Sequence, residues 1–160
     1  MVALILEQGR IGRQLAEWAV ARMPHVGPGL AENCVAVGMA SGPTTADTIW
    51  GVVLFHNFDP VHGLVEMSAA SADPRWAQRR VLIDVLSVPF VQYGCRKIYV
   101  TIPSTNARAL KFNEGIGFKR EGVLRHHFKH KLHAVVCGMM RSDYDAMCAR
   151  YHRRRMAVAA

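Results

Sequence analysis

Apolar positions along the chain change their period several times, and each change marks an element. Ala3 to Leu6 is a short apolar run of strand length. From Ile11 to Met23, the residues Ile11, Leu15, Trp18, Ala19 and Arg22 recur at three- and four-residue spacing. That period predicts a helix, which Pro24 and Gly27 stop. Three strand-like runs follow, Cys34–Met39, Ile49–Asn57 and Gly63–Ala70. Ser41-Gly42-Pro43 and Asp59-Pro60-Val61-His62-Gly63 connect them, short and turn-rich, so an antiparallel meander is expected. Asp73-Pro74 signals a helix start, an acidic cap followed by the position where proline fits. Val81, Leu82, Val85 and Leu86 form an apolar stripe on that helix, and Pro89 kinks or ends it.

The second half is sharper. In Lys97–Pro103, Ile98, Val100 and Ile102 alternate with Tyr99 and Thr101, which predicts a strand. Asn106–Gly115 reads as a helix, Gly117-Phe118 opens a strand, and a last strand runs from about Ala134 to Met140. A closing helix from about Asp143 to Arg155 ends in arginines. A meander followed by strand, helix and strand describes a mixed α/β sheet with helices on its faces.

At 160 residues with no repeat and no linker-like stretch, the chain is expected to be a single domain over 1–160, with a basic helix or tail from about 143. Its 51% hydrophobic and 20% charged residues exclude a disordered chain. Cys34, Cys95, Cys137 and Cys148 form no CxxC pair, which suits neither a zinc knuckle nor a disulfide framework and points to a reducing, cytoplasmic setting. Met1 to Leu6 lacks a basic leader, so no secretory signal is expected. Asp84 and Pro89 interrupt the longest apolar candidate, so no membrane span is expected either. A formal net charge of +8 calls for an anionic partner: a nucleic acid, an acidic protein or a phosphorylated cofactor. A basic surface that only confers solubility has the same charge.

The most informative stretch runs from Ile102 to Gly122. A strand ends at Pro103, Asn106 is followed three residues on by Ala109, a short helix intervenes, and Gly117-Phe118 opens the next strand. This order resembles the second half of the GNAT superfamily of N-acetyltransferases. Gly117-Phe118-Lys119-Arg120-Glu121-Gly122, then Val123-Leu124-Arg125, is similar to the branch that acetylates amino termini of ribosomal proteins, and to bacteriophage enzymes. The resemblance covers roughly Gly51 to Tyr144. It implies a mostly antiparallel sheet of six to seven strands flanked by helices, with acetyl-CoA as co-substrate and no metal. It also implies transfer of the acetyl group to a primary amine of a protein or peptide, α-amino or lysine, by direct attack on the thioester.

In that family the coenzyme's pyrophosphate sits on backbone amides of a Gln/Arg-x-x-Gly-x-Gly/Ala loop, where unpaired N–H groups and the helix dipole favour an anion. The matching segment here, Arg75-Trp76-Ala77-Gln78-Arg79-Arg80, has no glycine. Its three arginines either supply charged contacts to phosphate or form a solvated helix face. An Asp73 cap competes for the same amides. The resemblance assigns Ser68, Ala69, Ala70, Arg75, Trp76, Gln78, Arg79, Arg80, Asn106 and Ala109 to the coenzyme. Asn106 has two readings, a ligand contact or a plain helix cap.

Acyl transfer needs a neutral amine. An α-amino group with a pKa near ~8 is far less protonated at pH 7 than a lysine. A carboxylate, directly or through water, can take the remaining proton. Glu66, in the central strand before the phosphate segment, is the candidate base, because several family members place a glutamate there; the alternative is a strand residue facing solvent or an arginine. Many relatives use a tyrosine on the helix after the asparagine to protonate the thiolate. Counting from Asn106, that position holds Asn113, with Phe112 beside it, and neither can donate as an acid. His126, His127, His130 and His133 are read as a surface cluster with no acidic ligand among them, and His133 as a second candidate base. Met139, Met140 and Met147 are core filler. The tail Arg150-Tyr151-His152-Arg153-Arg154-Arg155 is either a solvated helix end or a patch for an acidic acceptor or nucleic acid. Two further functions therefore stay open: acyl transfer to a nucleic acid such as a modified base or charged tRNA, and a non-catalytic relative that binds acyl-CoA.

Overall fold

A computed structural model describes residues 3–6, 9–42 and 47–158, without the side chains of 130 and 158. Pro43 of the expected turn and the His130 side chain lie outside the described residues. The order of elements is β1 (Ala3–Leu6), α1 (Arg10–Val20), β2 (Cys34–Ala40), β3 (Ile49–Asp59), β4 (Leu64–Ser71), α2 (Arg79–Ser87), β5 (Lys97–Pro103), α3 (Ala107–Ile116), β6 (Lys119–Phe128), β7 (Leu132–Met140) and α4 (Arg141–Val158). The class is mixed α/β with mostly antiparallel strands. The residues gather into two compact units, one comprising Met1–Phe58 with Val65–Val85, the other Asp59–Leu64 with Leu86–Ala160.

In the first unit the strands lie in the order β1-β2-β3-β4. β1 is antiparallel to β2 with Ala3 opposite Ala40, and β2 is antiparallel to β3 with Cys34 opposite His56. Helix α1 turns Leu15, Ala16, Trp18 and Ala19 onto Ala36, Ile49, Val52, Leu54 and Ala70. It lies so close to β2 that a Cβ on Gly38 would meet Leu15 Cδ2 at 2.8 Å. The helix ends at Val20 rather than Met23. There Arg22 N–H donates to the Ala19 carbonyl and Met23 N–H to the Val20 carbonyl, so the last turn tightens before Pro24.

The stretch after β4 differs more from expectation. Asp73-Pro74 starts only a one-turn 3-10 helix, Pro74–Ala77; the chain then extends at Gln78 (ψ 136°), and α2 starts afresh at Arg79. Trp76 is the reason. Its ring is buried against Gly51, where a Cβ would stand 3.0 Å from Trp76 Cγ, while the Trp50 carbonyl holds the N–H groups of Ala72 and Asp73. The turn is thereby anchored to β3 before the helix can continue.

In the second unit the order is β5-β7-β6. Lys97 stands opposite Met140 and Lys119 opposite Gly138, both pairings antiparallel. β7 thus lies between the two strands that α3 joins in sequence, so β5 and β6 are not neighbours. Ile98, Val100 and Ile102 are buried as their alternation requires. β6 is exposed from Lys119 through His127. Tyr144 and Met147 of α4 are buried, and the Tyr144 ring stacks on Phe90 at 5.1 Å between centroids. All four cysteines are free thiols, and burial pushes those of Cys34, Cys95 and Cys137 up. Among the described residues no helix is long and apolar enough to cross a membrane.

Candidate active site

β3 and β4 of the first unit bring four polar side chains together. Glu66 lies mid-strand in β4 and is 9% exposed; Ser68, two residues on, shares its face and is half-buried. Near the end of β3, His56 is 7% exposed. Its Nε2 is 2.9 Å from Ser68 Oγ, and its Nδ1 is 3.9 Å from Glu66 Oε2. Asn57 Nδ2 donates to the same Oε2 at 2.8 Å. Asn57 does so from a left-handed backbone (φ 50°), a conformation asparagine tolerates better than most residues. His56 Nδ1 is buried and has no hydrogen-bond partner among the described residues. Burial pushes the His56 pKa down, and the Glu66 charge partly offsets this.

Near the end of β4, Ala69 is exposed and Ala70 buried. Asp73 accepts from Arg75 N–H at 2.8 Å and also grips the Arg75 guanidinium, Oδ2 to Nη2 at 2.6 Å. These hydrogen bonds hold the Asp73 carboxyl below its usual range. Arg75 lies over the Trp50 ring as well, 4.4 Å from its centroid. The Arg75 side chain is therefore committed within the chain, and Trp76 offers its backbone only. Gln78, Arg79 and Arg80 are exposed. Because Asp73 caps the 3-10 turn and not α2, it does not occupy the amides that open α2. Leu82 N–H is the first to bond back, to the Gln78 carbonyl at 2.9 Å. The N–H groups of Arg79, Arg80 and Val81 stand before it as the start of the helix, unpaired among the described residues.

In the second unit Asn106 is the N-cap of α3, its Oδ1 accepting from Ala109 N–H at 3.0 Å. The capping reading accounts for Oδ1, and Nδ2 is what remains for a ligand. Asn113 is 8% exposed; its Nδ2 donates to the Ala109 carbonyl at 2.9 Å and its Oδ1 is buried without a partner among the described residues. His133 Nδ1 accepts from the His126 N–H at 3.0 Å, so its neutral ring carries the proton on Nε2. That tautomer makes His133 a donor and removes it as a base. The basic tail lies on α4 with Arg153, Arg154 and Arg155 exposed.

The sequence matches no protein-family model and no curated protein. Its fold, however, recurs in solved structures. Spermidine N-acetyltransferase from Vibrio cholerae, in complex with CoA and spermine, superposes with a TM-score of 0.66 at 17% identity, covering 89% of this chain and 97% of that one. Mutant forms of the spermidine/spermine N-acetyltransferase SpeG from the same organism give 0.69 at 15% identity, covering 90% and 97%. An acetyltransferase candidate from T. thermophilus gives 0.70 at 19% identity, covering 96% and 93%.

The fold is the GNAT fold.

On this GNAT fold, Glu66 and Ser68 stand together on β4 as their two-residue spacing implies. The sequence reading missed His56 and Asn57. In sequence the pair only closes the apolar run Ile49–Phe55, which marks the end of a strand and carries no chemical signal.

Proposed function

We propose that the chain, as one acyltransferase domain, is an acetyl-CoA-dependent N-acetyltransferase acting in the cytoplasm on a primary amine of a protein or peptide. The observation that carries this reading is a buried glutamate on β4 of a GNAT fold, Glu66, lying shortly before a helix start whose amides are unpaired. Glu66 is the base whose negative charge draws the amine's proton into the site, directly or through neighbouring groups. Main-chain groups of Ser68, Ala69 and Ala70 and the amides opening α2 bind the coenzyme, with Arg79 and Arg80 adding charge beside its phosphates. Gln78 and the Trp76 backbone shape the turn, and Arg75 can reach phosphate only by exchanging Asp73 for it. Asn106 contributes through Nδ2, and Ala109 through its place one turn into α3. Asn113 leaves the thiolate to be protonated by water.

The V. cholerae relative is named for spermidine and holds spermine, a polycation. A chain with a net charge of +8 repels such an acceptor, which favours the amino terminus of a peptide, as in the ribosomal-protein branch that the Gly117–Arg125 stretch resembles. A second reading, transfer to a nucleic acid, is favoured by the α4 arginines: Arg153, Arg154 and Arg155 take part in no salt bridge among the described residues. The test is unfolding temperature against acetyl-CoA concentration, followed by thiol release with peptides, spermidine and RNA as acceptors. A graded, saturating stabilisation followed by peptide-dependent thiol release is the expected result. No stabilisation at any concentration refutes the acetyl-CoA reading, and release with spermidine or RNA alone refutes the peptide acceptor.

A further inference from the structure

His56 is placed by two neighbours of opposite character. One ring nitrogen lies 2.9 Å from a hydroxyl, which can donate or accept, and the other 3.9 Å from a carboxylate oxygen, which when ionised can only accept. With the proton on Nε2, the bare Nδ1 lone pair would face the Glu66 carboxylate, which is repulsive in a poorly solvated site. With the proton on Nδ1 the contact becomes attractive, and Nε2 is free to accept the Ser68 hydroxyl. Electrostatics therefore select the second tautomer. It directs the Ser68 hydroxyl proton to His56 and leaves the Ser68 oxygen lone pairs to accept an N–H from outside.

Burial gives the same direction. Glu66 and His56 are buried, while Ser68 is the half-buried member and the next residue, Ala69, is exposed. Glu66 Oε2 is additionally occupied by Asn57. A carboxylate so enclosed is poorly placed to meet an incoming amine itself.

We propose that Ser68, His56 and Glu66 form a proton relay for the acceptor amine, with Ser68 Oγ as the atom that meets it. The inference rests on the acyl-transfer reading and specifies its chemistry. As the amine nitrogen bonds to the thioester carbonyl carbon, its proton passes to Ser68 Oγ and the Ser68 proton passes to His56 Nε2. The C–S bond breaks with its electron pair on sulfur, and the thiolate takes a proton from water. Glu66 stabilises the imidazolium through Nδ1, and His56 returns its proton to solvent once product has left. Ser68 is the catalytic residue here; His56 and Glu66 act through it.

The experiment has a spectroscopic and a kinetic arm. Long-range nitrogen–proton correlation on the wild-type protein, with the His56 signals assigned by their loss in His56→Gln, is expected to show an Nδ1-protonated neutral ring near pH 7. Steady-state transfer from acetyl-CoA to a peptide with a free α-amino group is expected to fall about 100-fold in kcat for Ser68→Ala, at the low end for lost acid–base catalysis. KM for acetyl-CoA should stay unchanged, and Ser68→Thr, which keeps the hydroxyl, should restore most of the rate. An Nε2-protonated ring, wild-type kcat in Ser68→Ala, or an acetyl group found on Ser68 after incubation with acetyl-CoA would each overturn the relay while leaving transfer itself intact. A wild-type protein that binds acetyl-CoA yet acetylates neither the peptide, nor spermidine, nor RNA refutes the acyl-transfer reading, and the relay with it.

Discussion

Replacing Asn106 separates two roles that one side chain can combine. Its Oδ1 caps α3 through Ala109 N–H at 3.0 Å, so Asn106→Ala removes a satisfied cap. Loss of an N-cap side chain costs about 1 kcal/mol. In a chain of this size that lowers the unfolding temperature by about 2–4 °C. Serine caps about as well as asparagine, so Asn106→Ser should melt within about 1 °C of wild type. Serine lacks the Nδ2 donor, however. If Nδ2 bonds the coenzyme, both variants lose one hydrogen bond of about 0.5–1.5 kcal/mol, a Kd for acetyl-CoA weaker by about 2- to 12-fold. The assay is unfolding temperature against acetyl-CoA concentration for the three proteins, fitted for Kd. Wild-type stability in Asn106→Ala refutes the cap as an energetic contributor. Wild-type Kd in Asn106→Ser refutes the ligand contact and leaves Asn106 a cap alone.

Three other outcomes are expected. Gly38→Ala should lose about 1–3 kcal/mol in chemical denaturation, since the new Cβ lands 2.8 Å from Leu15 Cδ2 and 3.0 Å from Cδ1 in a fully buried contact; unchanged stability would mean that α1 does not pack this tightly. Arg79→Ala with Arg80→Ala should weaken acetyl-CoA binding and flatten its salt dependence, whereas Arg75→Gln, whose wild-type guanidinium is already held by Asp73, should change Kd much less; a larger effect from Arg75→Gln refutes that ranking. His56 has a folded pKa below its ordinary 6.5, so the unfolded chain binds the extra proton as pH falls past 6.5. Its contribution to stability is therefore full above 6.5 and lost progressively below, and in His56→Gln the melting temperature should fall less between pH 7 and 5 than in wild type.

The second half of the chain was readable because local signals agreed there. β5 alternates cleanly, Asn106 caps α3 where its sequence suggests, and Gly117 closes α3 with φ 118°, a conformation that favours glycine. What could not be read depends on distant partners. The placement of β7 between β5 and β6 is a choice of hydrogen-bonding neighbour, and nothing in either strand's own pattern encodes it. The break at Gln78 likewise needs Gly51 and Trp50, more than twenty residues away in sequence, to anchor Trp76. Glu66 could be singled out from the family resemblance. His56 could not, because its meaning comes from Ser68 across the strand pair.

The same break bears on the missing glycines. In a glycine-rich phosphate loop the small residues let the backbone approach the anion and adopt unusual angles. Here the chain reaches unpaired helix amides by another route: a proline-started 3-10 turn that keeps its own acidic cap, an extended residue at Gln78, and a fresh helix start at Arg79. Had the turn run directly into α2 as one helix, Asp73 would cap that helix and place a carboxylate where the proposed phosphate site lies. Splitting the two removes this competition without any glycine, and it puts Arg79 and Arg80 in the first turn, where basic side chains are disfavoured by the dipole unless an anion is present. Without an anion, a helix start carrying two exposed arginines is therefore mildly destabilised by its own charges. A bound phosphate relieves that cost, which makes this turn the part of the first unit whose amide protection should rise most when acetyl-CoA is added. Hydrogen exchange that slows uniformly over the chain, with no excess at Arg79, Arg80 and Val81, would refute this account of how the loop works.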